Sequence, residues 1–315
     1  MKKVILYVFS GTGNTQLVAE LYKKYLTDCE TTIYKIHKLA DGEEVPSPLD
    51  FDLVGLGYPV HGFNAPQVMN DFCKKLPKLD LSSGNKKTFI FKTSGEGLTF
   101  NNYSSQKIIR MLERKGYEFI TERHYVMPYN MIFRHSPQMV KSEYLYADAQ
   151  VRLNVKELAE ERKNKLHYCP LRYWFVPIVR IEWIYARLQG PFMKVDMKKC
   201  IKCMKCVKAC PLENIKFVEG ADGGDGSKGS FKFGTNCALC VCCSFGCPTS
   251  AISIGLLNGW KVNGSYQIKK TAADASLEFP YFTENLKGLY RWLYYKYYKR
   301  LNKELADNGI PVNQN

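Results

Sequence analysis

The stretch VILYVFSGTGNT, residues 4–15, decides the fold of the first half of this chain. Its first six residues, Val4 to Phe9, form a continuous apolar run, which is typical of a strand buried on both faces of a sheet. Glycines and hydroxyl side chains follow at once, and residues 14–26 then carry apolar side chains at helical spacing. A buried strand that turns through a glycine loop into a helix indicates a parallel sheet with helices packed on it.

The rest of the first half alternates predicted strands with predicted helices. The further strands are Thr31–Ile36, Phe51–Tyr58, Lys87–Thr93 and Tyr117–Met127. The helices are Asn14–Leu26, Pro66–Leu76, Ser104–Lys115 and Glu143–His167. This alternation predicts an α/β fold, a doubly wound parallel five-stranded sheet covered by helices on both faces.

The glycine loop SGTG, residues 10–13, leaves the first strand at its carboxyl end, where doubly wound sheets bind their ligands. Its main-chain N–H groups and hydroxyls can hold a phosphate at the start of the following helix. The loop is not G-x-G-x-x-G, which disfavours a dinucleotide, and it lacks the lysine of a Walker loop. It resembles the phosphate loop of flavodoxins, which bind FMN.

That resemblance implies that two further strand-end loops, YPVHGFNAP at residues 58–66 and TSGEG at residues 93–97, contact the isoalloxazine ring. The residues expected to contact FMN are Ser10, Gly11, Thr12, Gly13, Asn14, Thr15, Pro59, Val60, His61, Gly62, Phe63, Asn64, Thr93, Ser94, Gly95, Glu96 and Gly97. His61 is also the candidate for acid–base catalysis beside the flavin.

Two cysteine runs in the second half share the spacing C-x2-C-x2-C-x3-C-P. They are CIKCMKCVKACP, residues 200–211, and CALCVCCSFGCP, residues 237–248, called the first and second runs below. Zinc is the main alternative, but structural zinc sites usually pair two C-x2-C units around one tetrahedron. Three cysteines at steps of three, a fourth four residues on and a proline are the bacterial ferredoxin pattern for [4Fe–4S] clusters.

Residues 200–254 therefore resemble a two-cluster ferredoxin, and the resemblance implies a ligand set for each cluster. Cluster 1 takes Cys200, Cys203, Cys206 and Cys247, and cluster 2 takes Cys237, Cys240, Cys243 and Cys210. The last cysteine of each run thus serves the cluster of the other run. Cys242 is out of step with the spacing and is interpreted as a bystander thiol.

A flavodoxin-like half followed by a two-cluster half resembles the fused flavodoxin–ferredoxin proteins of anaerobes, called EFR1-type. We expect a flavodoxin-like FMN-binding domain over 1–168, a helical connector over 169–192, a small α+β ferredoxin-like domain with two [4Fe–4S] clusters over 193–256 and a basic aromatic helical extension over 257–315. The resemblance implies an electron-transfer protein that relays electrons between FMN and the clusters. The alternative is an FMN-dependent reductase of a small substrate; a redox sensor is a third hypothesis.

Composition bears on partners and location. The 315 residues carry 45 Lys and Arg against 30 Asp and Glu, a formal charge of +15. Such a charge favours acidic redox partner proteins, an anionic membrane surface or nucleic acid. Nothing resembles a motif that reads DNA, so we expect no nucleic-acid partner. Five of the basic residues interleave with the first run: Lys198, Lys199, Lys202, Lys205 and Lys208. Reduced thiols without a signal peptide predict a cytoplasmic protein.

The tail ENLKGLYRWLYYKYYKRL, residues 284–301, is predicted to form a basic aromatic helix. Its apolar stripe is predicted to comprise Leu286, Leu289, Tyr290, Leu293, Tyr297 and Leu301. We expect this stripe to dock on the body of the protein. The alternative is a peripheral membrane contact, since Trp292, Lys296, Lys299 and Lys303 lie on another side of the helix.

Overall fold

The first half of the chain forms a five-stranded parallel sheet in the computed structural model, which describes residues 1–37, 44–80, 84, 86–167, 188–222, 228–279 and 288–312. The strands are β1 (Lys2–Val8), β2 (Cys29–Lys35), β3 (Leu53–Pro59), β4 (Lys87–Ser94) and β5 (Glu118–Val126). Their order is β2-β1-β3-β4-β5 and each pair is parallel. This order is the flavodoxin-like doubly wound arrangement, so the predicted fold class is confirmed.

Four helices cover the two faces of this sheet: α1 (Asn14–Tyr25), α2 (Gln67–Lys75), α3 (Gln106–Arg114) and α4 (Pro137–Ala159). Alternate residues of β1 point to opposite faces, as they must in a strand. Ile5 and Tyr7 pack with apolar residues of α2 and α3, whereas Val4 and Leu6 pack with those of α1 and α4. The continuous apolar run at the start of the sequence is therefore explained by burial on both sides.

The bounds predicted for the last helix of this half, Glu143–His167, are wrong at both ends. Helix α4 begins at Pro137 because the Ser136 hydroxyl caps it, accepting from the Met139 amide at 3.3 Å. After the helix ends, the chain turns back and residue Asn164 forms an isolated parallel bridge to Thr121 of β5. The Ser136–Pro137 pair therefore sets the first residue of α4, and the turn that follows Ala159 sets its last.

The second half contains two short antiparallel sheets. The first pairs β6 (Lys194–Val195) with β9 (Ile252–Ser253), and the second pairs β7 (Ile215–Asp222) with β8 (Lys228–Phe233). Each cysteine run contributes one short helix, α5 (Lys205–Ala209) or α6 (Cys242–Phe245). The helical connector predicted over 169–192 lies outside the described residues except for 188–192.

The chain ends with α7 (Ile268–Ala272) and α8 (Gly288–Asp307). Helix α8 docks on α4 and β5, and the residues it buries are Leu293, Tyr294, Tyr297, Tyr298, Leu301 and Leu305. The predicted stripe is partly wrong, because Leu289 is 67% exposed, while Leu286 lies outside the described residues. No helix within the described ranges is both long enough and apolar enough to span a membrane.

The structure buries Tyr294, which the predicted stripe lacks, and the hydroxyls of Tyr294 and of the correctly predicted Tyr297 find partners in the body of the protein. The Tyr297 hydroxyl donates to the carbonyl of His124 at 2.7 Å, and the Tyr294 hydroxyl donates to the carbonyl of Gly95. A buried tyrosine with a satisfied hydroxyl combines a large apolar surface with a directed hydrogen bond. These bonds fix the rotation of α8 and tie it to the loop after β4.

One fully buried ion pair joins the two neighbouring strands β4 and β5. Lys92 Nζ lies 2.8 Å from Glu122 Oε2, and neither side chain is exposed. The ammonium also donates to Ser105 Oγ at 2.9 Å and to the Asn102 carbonyl at 3.0 Å. Burial lowers the pKa of Lys92, and the Glu122 carboxylate opposes that shift.

Replacing Lys92 with methionine is expected to destabilise the protein by about 3–5 kcal/mol, because it leaves the Glu122 carboxylate buried without its cation. Urea unfolding followed by circular dichroism measures the loss. In the double variant Lys92→Met/Glu122→Gln no buried charge is left unpaired, so most of the stability should return. A loss below about 1 kcal/mol for the single variant would show that water reaches the pair.

Candidate functional site

The glycine loop lies between β1 and α1, where the strand order reverses between β1 and β3. Gly13, the residue before α1, has φ 98°, a left-handed conformation that glycine adopts without strain. The Ser10 hydroxyl accepts from the amide of Gln16 at 3.3 Å, which folds the loop over the first turn of α1. That turn carries no acidic residue, so the positive end of the helix is available to an anion.

The side chains of this loop are tied to neighbouring strand ends. Thr15 is buried and its Oγ1 lies 2.8 Å from Thr93 Oγ1 at the end of β4. Asn14 Nδ2 donates to the carbonyl of Pro128 at 2.8 Å, and Asn130 Nδ2 donates to Thr12 Oγ1 at 3.3 Å. Residues 128–130 were not among the predicted site residues, although they follow the fifth predicted strand as the other site loops follow theirs.

The loop after β3 makes a tight turn. His61 and Asn64 exchange two backbone hydrogen bonds, at 2.9 and 2.8 Å. The two residues between them, Gly62 at φ 48° and Phe63 at φ 61°, are both left-handed. The amide of Val60 donates to the carbonyl of Thr93 at 2.8 Å, which joins this loop to the one after β4. The predicted contact residues of both loops therefore lie together at one edge of the sheet.

The loop after β4 directs its polar side chains into the protein. Ser94 Oγ lies 2.7 Å from His124 Nε2, and Glu96 accepts from the hydroxyl of Tyr129. A Cβ on Gly95 would lie 2.0 Å from the ring of Tyr129, so only glycine fits there. Ser94 and Glu96 thus serve the protein's own hydrogen bonds, and so does the carbonyl of Gly95, which accepts from Tyr294.

The second cysteine run packs against this same edge of the sheet. A Cβ on Gly11 would lie 2.6 Å from Cys240 Cβ and 3.2 Å from Cys240 Sγ. The His61 imidazole hydrogen-bonds to the backbone of Ala238. Ala238 and Cys240 also pack on the core cluster that contains Phe9. No local sequence pattern predicted this contact, because its partners lie far apart in the chain.

His61 is half-buried, and its surroundings determine the charge of its imidazole. Burial lowers its pKa from 6.5 to about 4, although the hydrogen bond to Ala238 opposes the shift. The folded protein therefore holds this imidazole neutral at pH 7. A neutral ring is a weaker proton donor than an imidazolium, and the catalytic role of His61 stays a prediction.

We expect the His61 resonances to show no titration between about pH 5.5 and 8 in proton–carbon NMR spectra. The unfolded state binds the proton at higher pH than the folded state. The His61 contribution to stability is therefore complete above pH 6.5 and is lost as pH falls toward about 4. The same protein in urea gives the reference titration. A midpoint near 6.5 in the folded protein would restore His61 as a proton donor.

The eight predicted ligand cysteines line two separate cavities. One is lined by Cys200, Cys203, Cys206 and Cys247. The other is lined by Cys210, Cys237, Cys240 and Cys243, together with Cys242. The spaces measure about 340 and 460 Å³, including their openings to solvent. Each predicted ligand set, with its fourth cysteine taken from the other run, therefore surrounds a cavity of its own.

The two runs repeat one backbone pattern around these cavities. The first sulfur of each run accepts from the amide two residues on: Cys200 from Lys202 at 3.4 Å, and Cys237 from Leu239 at 3.3 Å. The last sulfur of each run accepts from the amide four residues on, Asn214 to Cys210 at 3.2 Å and Ala251 to Cys247 at 3.3 Å. Each cavity thus has two ligand sulfurs that accept N–H bonds, which stabilise negative charge on sulfur.

The chemistry of these thiols fits metal ligation. Burial raises the pKa of Cys206 to about 11 and that of Cys240 well above its usual value, so both are protonated at neutral pH until a metal displaces the proton. At Cys247, burial raises the pKa, but bonds from Thr249 and Ala251 outweigh it and lower the net value. Within the described ranges no three His, Cys, Asp or Glu side chains close around a single ion.

Comparisons with known proteins bear on both halves. A sequence model of the family described as "4Fe-4S binding domain" matches residues 192–221, which contain the first run. This match identifies the segment as [4Fe–4S]-binding. No curated protein matches the chain.

Solved structures resemble the first half. The Streptococcus pneumonia TIGR4 flavodoxin is 18% identical and covers 50% of this chain and 99% of its own, with a TM-score of 0.35. NAD(P)H:quinone oxidoreductase from Methanothermobacter marburgensis is 10% identical and covers 50% and 96%, with a TM-score of 0.39. A flavoprotein from Lactobacillus acidophilus NCFM, solved with FMN, is 14% identical and covers 39% and 93%, with a TM-score of 0.31.

The fold of the first half rests on its own strand order, and the [4Fe–4S] assignment rests on the family match and the clustered cysteines. [4Fe–4S] clusters are redox groups. A flavodoxin-like sheet joined to a [4Fe–4S]-binding segment gives this chain a redox role in electron transfer.

Proposed function

We propose that the chain is an electron-transfer protein of the EFR1 type that holds FMN and two [4Fe–4S] clusters. FMN would bind at the edge formed by the glycine loop and the loops after β3 and β4, and each cluster would occupy one cysteine-lined cavity. When bound, the clusters supply one-electron chemistry and FMN accepts one or two electrons, which couples one-electron carriers to two-electron carriers. The protein contributes the position of each group and the surroundings that set its potential.

The contact between Gly11 and Cys240 carries this proposal. Gly11 belongs to the proposed phosphate loop and Cys240 to the proposed cluster 2 ligands, so the two cofactor sites share a wall. Electron transfer slows steeply with distance, and neighbouring sites within one chain keep that distance short. The hydrogen bond from His61 to the Ala238 backbone holds the second run against the loop after β3.

The first run supplies the other end of the proposed relay. Cys203 is exposed, as are the lysines around it, whereas Cys240 faces the flavodoxin-like half. Cluster 1 would therefore exchange electrons with a partner, and cluster 2 with the flavin. Electron-transfer proteins work with redox partners, and this basic face fits an acidic one. The exposed lysines are Lys198, Lys199, Lys202, Lys205 and Lys208.

A reductase of a small substrate is the second candidate, and two observations disfavour it. That enzyme needs open space beside the flavin and a proton donor such as His61. The second cysteine run packs on the proposed FMN edge through Cys240, and the His61 ring is neutral at pH 7. A carrier needs neither feature.

The proposal also includes a cytoplasmic location and a peripheral contact with a membrane. A cytoplasmic location agrees with cysteines that are all free among the described residues. A peripheral membrane contact through α8 agrees with the basic residues on its exposed side, which are Arg291, Lys296, Lys299, Arg300 and Lys303.

Quantifying the cofactors of anaerobically purified protein tests the proposal. We expect about eight iron atoms, eight inorganic sulfides and one FMN per chain, with cluster and flavin bands in the same absorption spectrum. Iron without inorganic sulfide, or clusters without flavin, would contradict it.

A further inference from the structure

Exposed apolar side chains are concentrated in four segments, one after β5 and three in the second half of the chain. We call these the β5 loop (131–134), the connector end (188–194), the β9 loop (254–262) and helix α8. The exposed large hydrophobic residues they contribute are Ile132, Leu188, Phe192, Leu256, Trp260, Leu289, Trp292 and Tyr295. Elsewhere in the described ranges only Met1, Leu49 and Ile201 are of this kind, so the distribution is strongly uneven.

The β5 loop joins two of the other segments. The amide of Ile132 donates to the carbonyl of Trp260 in the β9 loop, at 2.5 Å. The next residue, Phe133, packs edge-on against Tyr290 of α8, with ring centroids 5.1 Å apart. The β9 loop, the β5 loop and the start of α8 therefore form one continuous surface.

The connector end extends this surface on the far side of the β9 loop. A Cβ on Gly255 would lie 3.7 Å from Phe192 Cβ and 3.4 Å from Gln189 Cγ. Leu256, the residue after that glycine, is 90% exposed, and Phe192 is 68% exposed. Contacts thus link each segment to the next, from α8 through the β5 loop and the β9 loop to the connector end.

The surface is basic, because eight of its ten charged residues are Lys or Arg and the two acids, Glu304 and Asp307, lie at the end of α8. The four segments, taking α8 as far as Lys303, contain no Asp or Glu. Their basic residues are Arg134, Lys194, Lys261, Arg291, Lys296, Lys299, Arg300 and Lys303. On α8, Lys296 lies over the ring of Trp292 at 5.0 Å and Lys299 over that of Tyr295 at 5.7 Å. Cations and exposed aromatic rings are therefore neighbours on one side of the helix.

We propose that this surface binds the anionic phospholipid surface of a membrane, with α8 lying along the headgroups. This extends the membrane contact included in the proposed function from one helix to a composite surface, and it does not depend on the cofactors. Exposed Trp, Tyr and aliphatic side chains enter the interface, while Lys and Arg bind anionic headgroups. The opposite face of α8 can stay packed on α4, because the lipid-binding side chains are already exposed.

An acidic protein is the other class of partner that a basic surface attracts. The exposed apolar residues favour lipid as the partner. Protruding side chains such as Leu256 and Trp260 gain favourable free energy when they are buried among the acyl chains of the membrane interface. An acidic protein face would meet the same cations but would offer these two side chains no apolar environment.

Sedimentation of the full-length, cofactor-loaded protein with vesicles tests the inference. The vesicles are phosphatidylcholine alone or with about one-third phosphatidylglycerol, at physiological salt. We expect binding to the anionic vesicles, reduced at least about tenfold in Leu256→Glu/Trp260→Glu and in Lys296→Glu/Lys299→Glu. The matched controls, Leu49→Glu and Lys23→Glu/Lys75→Glu, change exposed residues outside the surface and should bind within about twofold of the wild type.

Iron, sulfide and flavin per chain are measured on every variant. Lost vesicle binding with full cofactor content supports the inference independently of the redox proposal. The inference is overturned if the wild type does not bind anionic vesicles, if the control variants weaken as much as the surface variants, or if polyglutamate binds the surface while vesicles do not.

Discussion

Replacing Cys210 with alanine is expected to remove the cluster of the second run and to leave the cluster of the first run in place. Cys210 belongs to the first run in sequence, yet it lines the cavity of Cys237, Cys240 and Cys243. Its sulfur accepts the amide of Asn214 there. Without this fourth thiolate one corner of the cubane has no protein ligand, so iron and sulfide should fall to about half of the wild-type content.

The reciprocal variant is the matched control. Cys247→Ala should lose the other cluster, so the low-temperature EPR spectra of the two reduced variants should be complementary. Cys242 lines the same cavity as Cys210 and could take its place, so the double variant Cys210→Ala/Cys242→Ala keeps the test decisive. Selective loss of the cluster held by Cys200 in the Cys210 variant would reverse the ligand assignment.

Replacing Thr12 with glutamate is expected to weaken FMN binding by about two orders of magnitude, because it places a carboxylate beside the proposed phosphate position. Thr12 suits this test better than Thr15, which is buried against Thr93 and whose replacement would also disturb the core. Thr12→Gln is the matched control, with the same shape and no charge. Quenching of flavin fluorescence on titration gives the affinities, and iron content should stay unchanged.

The wild-type protein should also prefer FMN to riboflavin in this assay, since riboflavin lacks the phosphate. Equal affinities for the two flavins would show that the glycine loop is not a phosphate site. Equal weakening in Thr12→Glu and Thr12→Gln would show that shape, not charge, explains the loss.

The features that the sequence predicted correctly are local. The apolar run of β1, the glycine loop and the helix after it lie within some twenty residues, and their order follows from periodicity. Cysteine spacing is equally local, and the repeated N–H bonds to Cys200 and Cys237 show why both runs fold alike. Short-range patterns therefore predicted the fold class, whereas the exchange of the fourth cysteine between the runs came from the resemblance to two-cluster ferredoxins.

The features that the sequence could not predict depend on distant partners. Nothing near Gly11 indicates that Cys240 packs on it. Leucine periodicity assigned Leu289 to the buried stripe of α8, but the helix is rotated by the hydrogen bonds of Tyr294 and Tyr297 to backbone carbonyls of the sheet domain. Contacts between distant parts of the chain determine both the packing of Cys240 on Gly11 and the orientation of α8. No short stretch of sequence contains both partners of such a contact.

Because the proposed FMN and cluster 2 sites share a wall, electrons should pass between them within one chain, and the kinetics of this transfer test the proposal. Pulse reduction of the clusters under anaerobic conditions, followed through the flavin absorbance, separates transfer within a chain from transfer between chains. We expect first-order flavin reduction with a rate constant independent of protein concentration, and its loss in Cys210→Ala. A rate constant that rises in proportion to protein concentration would mean that electrons pass between chains and would overturn the proposal.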